Sequence, residues 1–252
     1  MPGDSGPLEH NPLTVSSLWK DRFRNIFGET ASTPESLPGG QRRRMPGNEA
    51  HKNKTGSSSS ILRRSSGAEQ FFAALQGAEG LSILDLGGAS QANVSFITDL
   101  GHRLSSDDIA GTMDQCFGDG DFFENQGAAS RVQRFFDQSL NFPEKYFDGA
   151  LVWDTLQFLA PGLFEETVER LLRILKPGGL VLAFFSSDEK ATRIPVYNYR
   201  IQDQKTLLLV PRGTFRQIQY FNNRTLERFF EHAQSVKFFL TRDHLREIIV
   251  RR

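Results

Sequence analysis

A chain of 252 residues can hold one large domain or two small ones, and its 30 basic and 30 acidic side chains cancel. The balance is uneven: residues 1–66 carry ten Lys and Arg against six Asp and Glu, so the remainder carries a matching acidic excess. That excess argues against a nucleic-acid surface there, the lone Cys116 excludes an intramolecular disulfide or a Cys-built zinc cluster, and no apolar run reaches the ~18 residues of a membrane span.

Residues 1–14 are polar and rich in Pro and Gly, without the apolar segment of a secretory signal. Together with the single cysteine this points to a cytoplasmic protein. Residues 1–66 read as a largely disordered, basic tail dominated by Ser, Pro and Gly. Inside it, Trp19, Phe23, Ile26 and Phe27 share one helical face over 17–27, with Lys20, Asp21, Arg22 and Arg24 opposite. Such a short helix either docks on its own domain or anchors weakly to a membrane surface or a partner groove. The basic clusters at 42–44 and 63–64 read as solvated linker charge.

From residue 67 the pattern alternates between strand and helix. Phe71, Phe72 and Leu75 predict an entry helix over 68–76, and 81–86 is a first strand. A helix over 94–100 buries Phe96, Ile97 and Leu100. Short strands are predicted at 103–106 and 131–136, and a longer one at 146–153. Phe164, Val168, Leu171, Leu172 and Leu175 form the stripe of a helix over 163–175, stopped by Pro177-Gly178-Gly179. Residues 180–185 are a continuous apolar run, as in a buried parallel strand. A helix at 224–233 and two strands, 236–240 and 245–250, close the chain around a turn at 241–244. The order implies an α/β fold: a doubly wound, mostly parallel seven-stranded sheet with a C-terminal antiparallel hairpin, its sites at the carboxyl ends of the strands.

The segment Ile83-Leu84-Asp85-Leu86-Gly87-Gly88-Ala89-Ser90 is a strand, a tight loop and a helix start, which brings backbone amides near a nucleotide-like ligand. An acid at the strand end suits a cationic ligand better than a dinucleotide. This segment, together with Gly101-His102-Arg103-Leu104 followed by Asp107 and Asp108, Phe135 to Pro143, Phe147-Asp148 and Leu175-Lys176-Pro177-Gly178-Gly179, resembles the class I S-adenosylmethionine-dependent methyltransferases over about residues 68–252. The resemblance implies a Rossmann-like methyltransferase domain over 67–252. Asp85 with Gly87, Gly88, Ala89 and Ser90 would hold the methionine end of the cofactor. Asp108, with Asp107 as close competitor, would take the ribose diol. Asp137, with Gln138 beside it, would accept from the adenine amino group.

The loop departs from the family pattern at Ala89 and Gln91, where glycines are usual. Ala89 is tolerable where φ is negative, and Gln91 could donate to the cofactor carboxylate. Trp153, just past the fourth strand, would pack in the core or wall the ligand. Asp154 is the candidate general base, against a solvent-facing or purely structural carboxylate. Cys116 packs as a small apolar residue, and His102, His232 and His244 lack partners at metal or triad spacing. The long segment 186–223, with Arg193, Tyr197, Tyr199, Arg200, Arg212, Arg216, Tyr220 and Phe221, either selects the acceptor or forms a β-rich lid.

Methyl transfer from S-adenosylmethionine to a small molecule is the leading expectation. A catalytically inactive methyltransferase-like domain serving as a binding or scaffold module is the alternative. A nicotinamide-dependent oxidoreductase is disfavoured by the missing glycine, the strand-end acid and the terminal hairpin.

Overall fold

The computed structural model describes residues 59–252 except 218 and 242. The helix expected at 17–27 and the basic cluster at 42–44 lie outside the described residues. The folded unit runs Ser59–Arg252 and so begins earlier than the tail boundary at 66 suggested. In chain order its elements are β1 (Ile61–Arg64), α1 (Ser66–Leu75), β2 (Ser82–Asp85), α2 (Gln91–Asp99), β3 (Arg103–Ser106), α3 (Ile109–Phe117), α4 (Phe122–Asn125) and α5 (Ala129–Gln138). They continue with β4 (Phe147–Trp153), a 3-10 turn (Thr155–Phe158), α6 (Pro161–Ile174), β5 (Leu175–Ser186), β6 (Arg193–Asp203), β7 (Thr206–Arg216), α7 (Asn223–Phe229), β8 (Ser235–Phe239) and β9 (Leu245–Arg251).

The central sheet has six strands in the order β3-β2-β4-β5-β9-β8. β2, β3, β4 and β5 are mutually parallel, and β9 runs antiparallel to both β5 and β8. This is a doubly wound α/β architecture ending in an antiparallel hairpin, one strand short of the seven expected. The strand expected at 131–136 is the first turns of α5. Phe135 and Phe136 are buried while Gln133, Arg134 and Asp137 are exposed, a helical rather than an alternating distribution. The hydrophobicity that suggested a strand covers one face of the sheet instead.

Period-two alternation splits the core cleanly. Leu84, Ala150, Val152, Val181, Ala183, Ile248 and Val250 face one layer with Phe117, Phe135, Phe164 and Leu171 from α3, α5 and α6. Ile83, Leu151, Trp153, Leu182, Phe184 and Ile249 face the other, with Phe71 and Phe72 of α1. Tyr199, Ile201, Leu207 and Leu209 complete that second layer, so part of it is a sheet rather than a helix. β6 and β7 form a hairpin, and β1 pairs with β7 to make a separate three-stranded antiparallel sheet. The long segment after β5 is therefore the β-rich cover.

The pair Arg63-Arg64 is not linker charge. Arg63 is 6% exposed, and alternation along β1 turns it inward while Arg64 faces water. Its Nε donates to Asp243 Oδ2 at 2.6 Å, and its Nη1 faces Glu247 Oε1 at 2.7 Å. Glu247, fully buried on β9, also accepts from Ser65 Oγ (2.9 Å) and Gly67 N (2.6 Å). Ser65 in turn caps α1 by accepting from Ala68 N. One carboxylate thus joins β1, α1 and β9. Glu247→Ala, which takes one of two carboxylates from a buried guanidinium and leaves Ser65 Oγ and Gly67 N without their acceptor, is expected to lower the unfolding free energy by about 3–5 kcal/mol in a urea titration.

Candidate functional site

The carboxyl ends of β2, β3 and β4 meet at the loop after β2. Two glycines shape that loop for different reasons. Gly88 has φ +82°, a conformation L side chains rarely adopt. Gly87 has no special angle, but a Cβ there would meet Trp153 Cδ1 at 2.8 Å and Nε1 at 2.9 Å. The bare backbone lets the indole lie against it. Ala89 is absent from the positive-φ residues, so its methyl group is accommodated without strain. The loop ends at Ser90, which makes no side-chain cap to α2, and Gln91 opens the helix and bonds Ser95.

Asp85 is the centre of this loop and is completely buried. Gly87 N and Trp153 Nε1 donate to its Oδ1 at 2.9 and 2.6 Å, and Asn93 Nδ2 donates to Oδ2 at 2.8 Å. All three partners are neutral donors, the complement an ionised carboxylate needs. Burial pushes its pKa above the usual carboxylate range, and the bonds from Asn93, Trp153 and Gly87 oppose that rise.

Asn93 was not anticipated as a site residue. It also donates to Tyr199 O at 3.2 Å and accepts from Ile201 N at 2.9 Å, clamping β6 onto α2. A polar residue one turn into a helix, on the face shared with Ile97, was the available signal. Trp153 has φ +56°, a strained left-handed conformation for an aromatic residue, and follows a register shift in the β4–β5 ladder. Its ring stacks on Tyr199 at 5.0 Å and 6°, and on Phe184 at 6.0 Å. It is an interior partner of Asp85 rather than an open wall.

Asp108 sits at the next strand end. It bridges to Gly87, stands close beside Gly88, and caps α3 by accepting from Gly111 N at 3.0 Å. Asp107, the competitor, is occupied elsewhere: it accepts from Ser139 Oγ and Leu140 N, each at 3.0 Å, and pins the end of α5. Burial raises its pKa. Asp137 is not brought to the crevice. It is exposed on α5, where Gln133 four residues earlier bonds it at 2.8 Å. Gln138 is also exposed, with its oxygen 4.0 Å from the sulfur of Cys116.

Asp154 follows Trp153 and is 5% exposed. Its Oδ2 accepts from Tyr197 N at 3.4 Å, and the Tyr199 hydroxyl lies nearby without a hydrogen bond of good geometry. Burial, only partly offset by Tyr197 N and by Arg212, raises its pKa to about 7. Two cavities flank this residue's contacts. One of about 380 Å³ is lined by Gly87, Ala89, Ser90, Gln91, Asn198 and Arg200. Another of about 330 Å³ is bordered by Arg63, Gln157, Arg193, Tyr197, Asp243 and His244. Among the described residues, no three His, Cys, Asp or Glu side chains are grouped to hold a metal ion.

No family model matches the chain, and no curated protein sequence matches it. Several solved structures do. A Burkholderia thailandensis 1,6-didemethyltoxoflavin-N1-methyltransferase, bound to 1,6-didemethyltoxoflavin and S-adenosylhomocysteine, is 14% identical over 74% of this chain and 76% of its own, at TM-score 0.41. The glycopeptide N-methyltransferase MtfA, complexed with S-adenosylmethionine, is 12% identical over 73% of this chain and 92% of its own, at 0.39. The cyclase SpnF is 13% identical over 73% and 81%, at 0.42. Identities this low leave function to be read from the chain's own side chains.

Replacing Asp85 with Asn would turn an amide toward donors that need an acceptor. Each buried donor left unpaired costs roughly 1–3 kcal/mol. Asp85→Asn is therefore expected to shift the urea midpoint downward and to change Trp153 fluorescence in the folded state.

Proposed function

We propose that the domain transfers a methyl group from S-adenosylmethionine to a small-molecule acceptor. The observation that carries this reading is the buried Asp85 carboxylate. Three neutral donors hold it at the carboxyl end of a parallel strand, beside a Gly87-Gly88 loop and an uncapped helix start. A buried anion served by neutral donors favours a cationic ligand.

The residues fit such a cofactor at two of its three ends. The loop of residues 87–90 and the uncapped start of α2, which line the 380 Å³ cavity, suit the zwitterionic methionine end, with the buried Asp85 fixing that loop from behind. Asp108 suits the ribose diol. The adenine end lacks its expected acceptor, because Asp137 points outward, so apolar contact rather than an acid would hold that ring. When bound, the cofactor supplies an electrophilic methyl group on a positively charged sulfur.

The chain's own tasks are alignment, exclusion of water and handling of one proton. Asp154, lying between the contacts of the two cavities, is the group for the proton. In its ionised form it would accept the hydrogen of an acceptor hydroxyl or amine that reaches it past Tyr197, which lines the second cavity and bonds it through the backbone. The volume of that pocket, about 330 Å³, favours a small acceptor. The cytoplasm remains the proposed location, as the lone cysteine suggests.

Calorimetric titration of the full chain with S-adenosylmethionine and with NAD tests the reading. Heat with the former alone, abolished by Asp108→Ala, supports it. Heat with NAD alone would make the protein an oxidoreductase, and no heat with either would leave a binding module.

Asp154 generates two pH predictions of opposite sign. As a base it works only when ionised, so turnover to S-adenosylhomocysteine is expected to rise through about pH 7 and then level. Asp154→Asn is expected to lower kcat by 10²–10⁴-fold and flatten that rise. For stability, the folded pKa is raised from 3.8, so the native state holds a proton that the unfolded chain releases. This contribution is complete below about pH 4 and disappears as pH climbs through about 7. Urea midpoints across that window should show the decline in the parent and lose it in Asp154→Asn.

A further inference from the structure

The hairpin cover borders both cavities through a single strand. On β6, Tyr197 lines the one of about 330 Å³. Asn198, Tyr199 and Arg200 line the one of about 380 Å³, together with Gly87, Ser90 and Ala92. β6 stands at the end of its three-stranded sheet, paired with β7 on one side only. Its other edge meets α2.

One side chain sets where that edge lies. Asn93 of α2 donates to Tyr199 O at 3.2 Å and accepts from Ile201 N at 2.9 Å. These two groups belong to the peptide units immediately before and after Arg200, so the backbone of Arg200 is clamped on both sides. The same amide donates to Asp85 Oδ2, which ties the position of Arg200 to the loop after β2. Alternation along β6 turns Tyr199 and Ile201 into the core and leaves Arg200 exposed at the cavity.

Arg200 is the only charged residue in the lining of that cavity. Among the described residues its guanidinium forms no hydrogen bond or ion pair. The other arginines of the small sheet's cavity differ: Arg63 is held by Asp243 and Glu247, and Arg193 bonds Thr214. Asp85 does not supply the missing partner, because it is fully buried and its oxygens already serve Gly87, Trp153 and Asn93.

We propose that Arg200 receives the carboxylate of the cofactor's methionine end, so that the hairpin cover, and not only the loop after β2, completes the cofactor site. The proposal rests on the methyl-transfer reading of that cavity. A guanidinium presents paired N–H donors that match the two oxygens of a carboxylate. S-adenosylmethionine is cationic overall, and an arginine in its site repels it unless the ligand's one negative group lies against that arginine. Arg200 thereby fixes which end of the amino acid portion faces β6.

The test is calorimetry of the full chain with S-adenosylmethionine and with decarboxylated S-adenosylmethionine, which keeps the sulfonium, the amine and the nucleoside. The parent is expected to bind the carboxylate-bearing ligand more tightly. Arg200→Gln is expected to weaken S-adenosylmethionine about tenfold, the loss of one charged hydrogen-bonded pair, and to bind the decarboxylated ligand no more weakly than the parent does. Arg200→Lys, which keeps the charge without the fork, should recover part of the loss. Unchanged affinity of Arg200→Gln for S-adenosylmethionine would overturn the proposal and leave the methyl-transfer reading standing. Equal weakening of both ligands would also overturn it, making Arg200 a support of the fold. No heat from the parent with either ligand would remove the reading and the proposal together.

Discussion

A single buried carboxylate organises the site. Asp85 holds the backbone of its own loop, the indole of β4 and the amide of α2 at once. Burying an anion is unfavourable unless its lone pairs are answered, so each of these groups is committed to one position. The strained backbone of Trp153 persists because its indole nitrogen is tied to Asp85 and its ring is stacked under Tyr199. Gly87 is required where that indole passes, and no larger residue would let the two approach.

From this centre the organisation extends outward through Asn93. One amide side chain links the carboxylate to the backbone of β6, so the hairpin cover and the loop cannot be positioned independently. A second carboxylate, Glu247, does the same at the far side, joining β1 and α1 to the central sheet. The small sheet is consequently fastened at two points by buried polar groups and between them by apolar contact. Such attachments are directional, and the loss of one partner leaves the other unpaired in the interior.

The doubly wound order was legible because it depends on local patterns. Ile83-Leu84, Leu151-Val152 and Leu180 to Phe185 are apolar runs of strand length, and the stripe of Phe164, Val168 and Leu171 has helical spacing. The stretch around Phe135 and Phe136 misled for the same reason: two adjacent aromatic residues fit a short strand as well as a helix until their neighbours' burial is known. Asp137 was misplaced with it, because a helix there turns the acid to solvent.

The chain by itself determined the strand-loop-helix at Asp85 to Ser90, the acid at the end of the next strand, and the terminal hairpin, all set by residues close in sequence. Tertiary structure alone decided that Asp85 meets Trp153, that Asn93 reaches the backbone of Tyr199 and Ile201, and that Arg63 is buried against Glu247. Those pairings span tens to nearly two hundred residues, and no periodicity along a chain encodes which distant charges will share an interior.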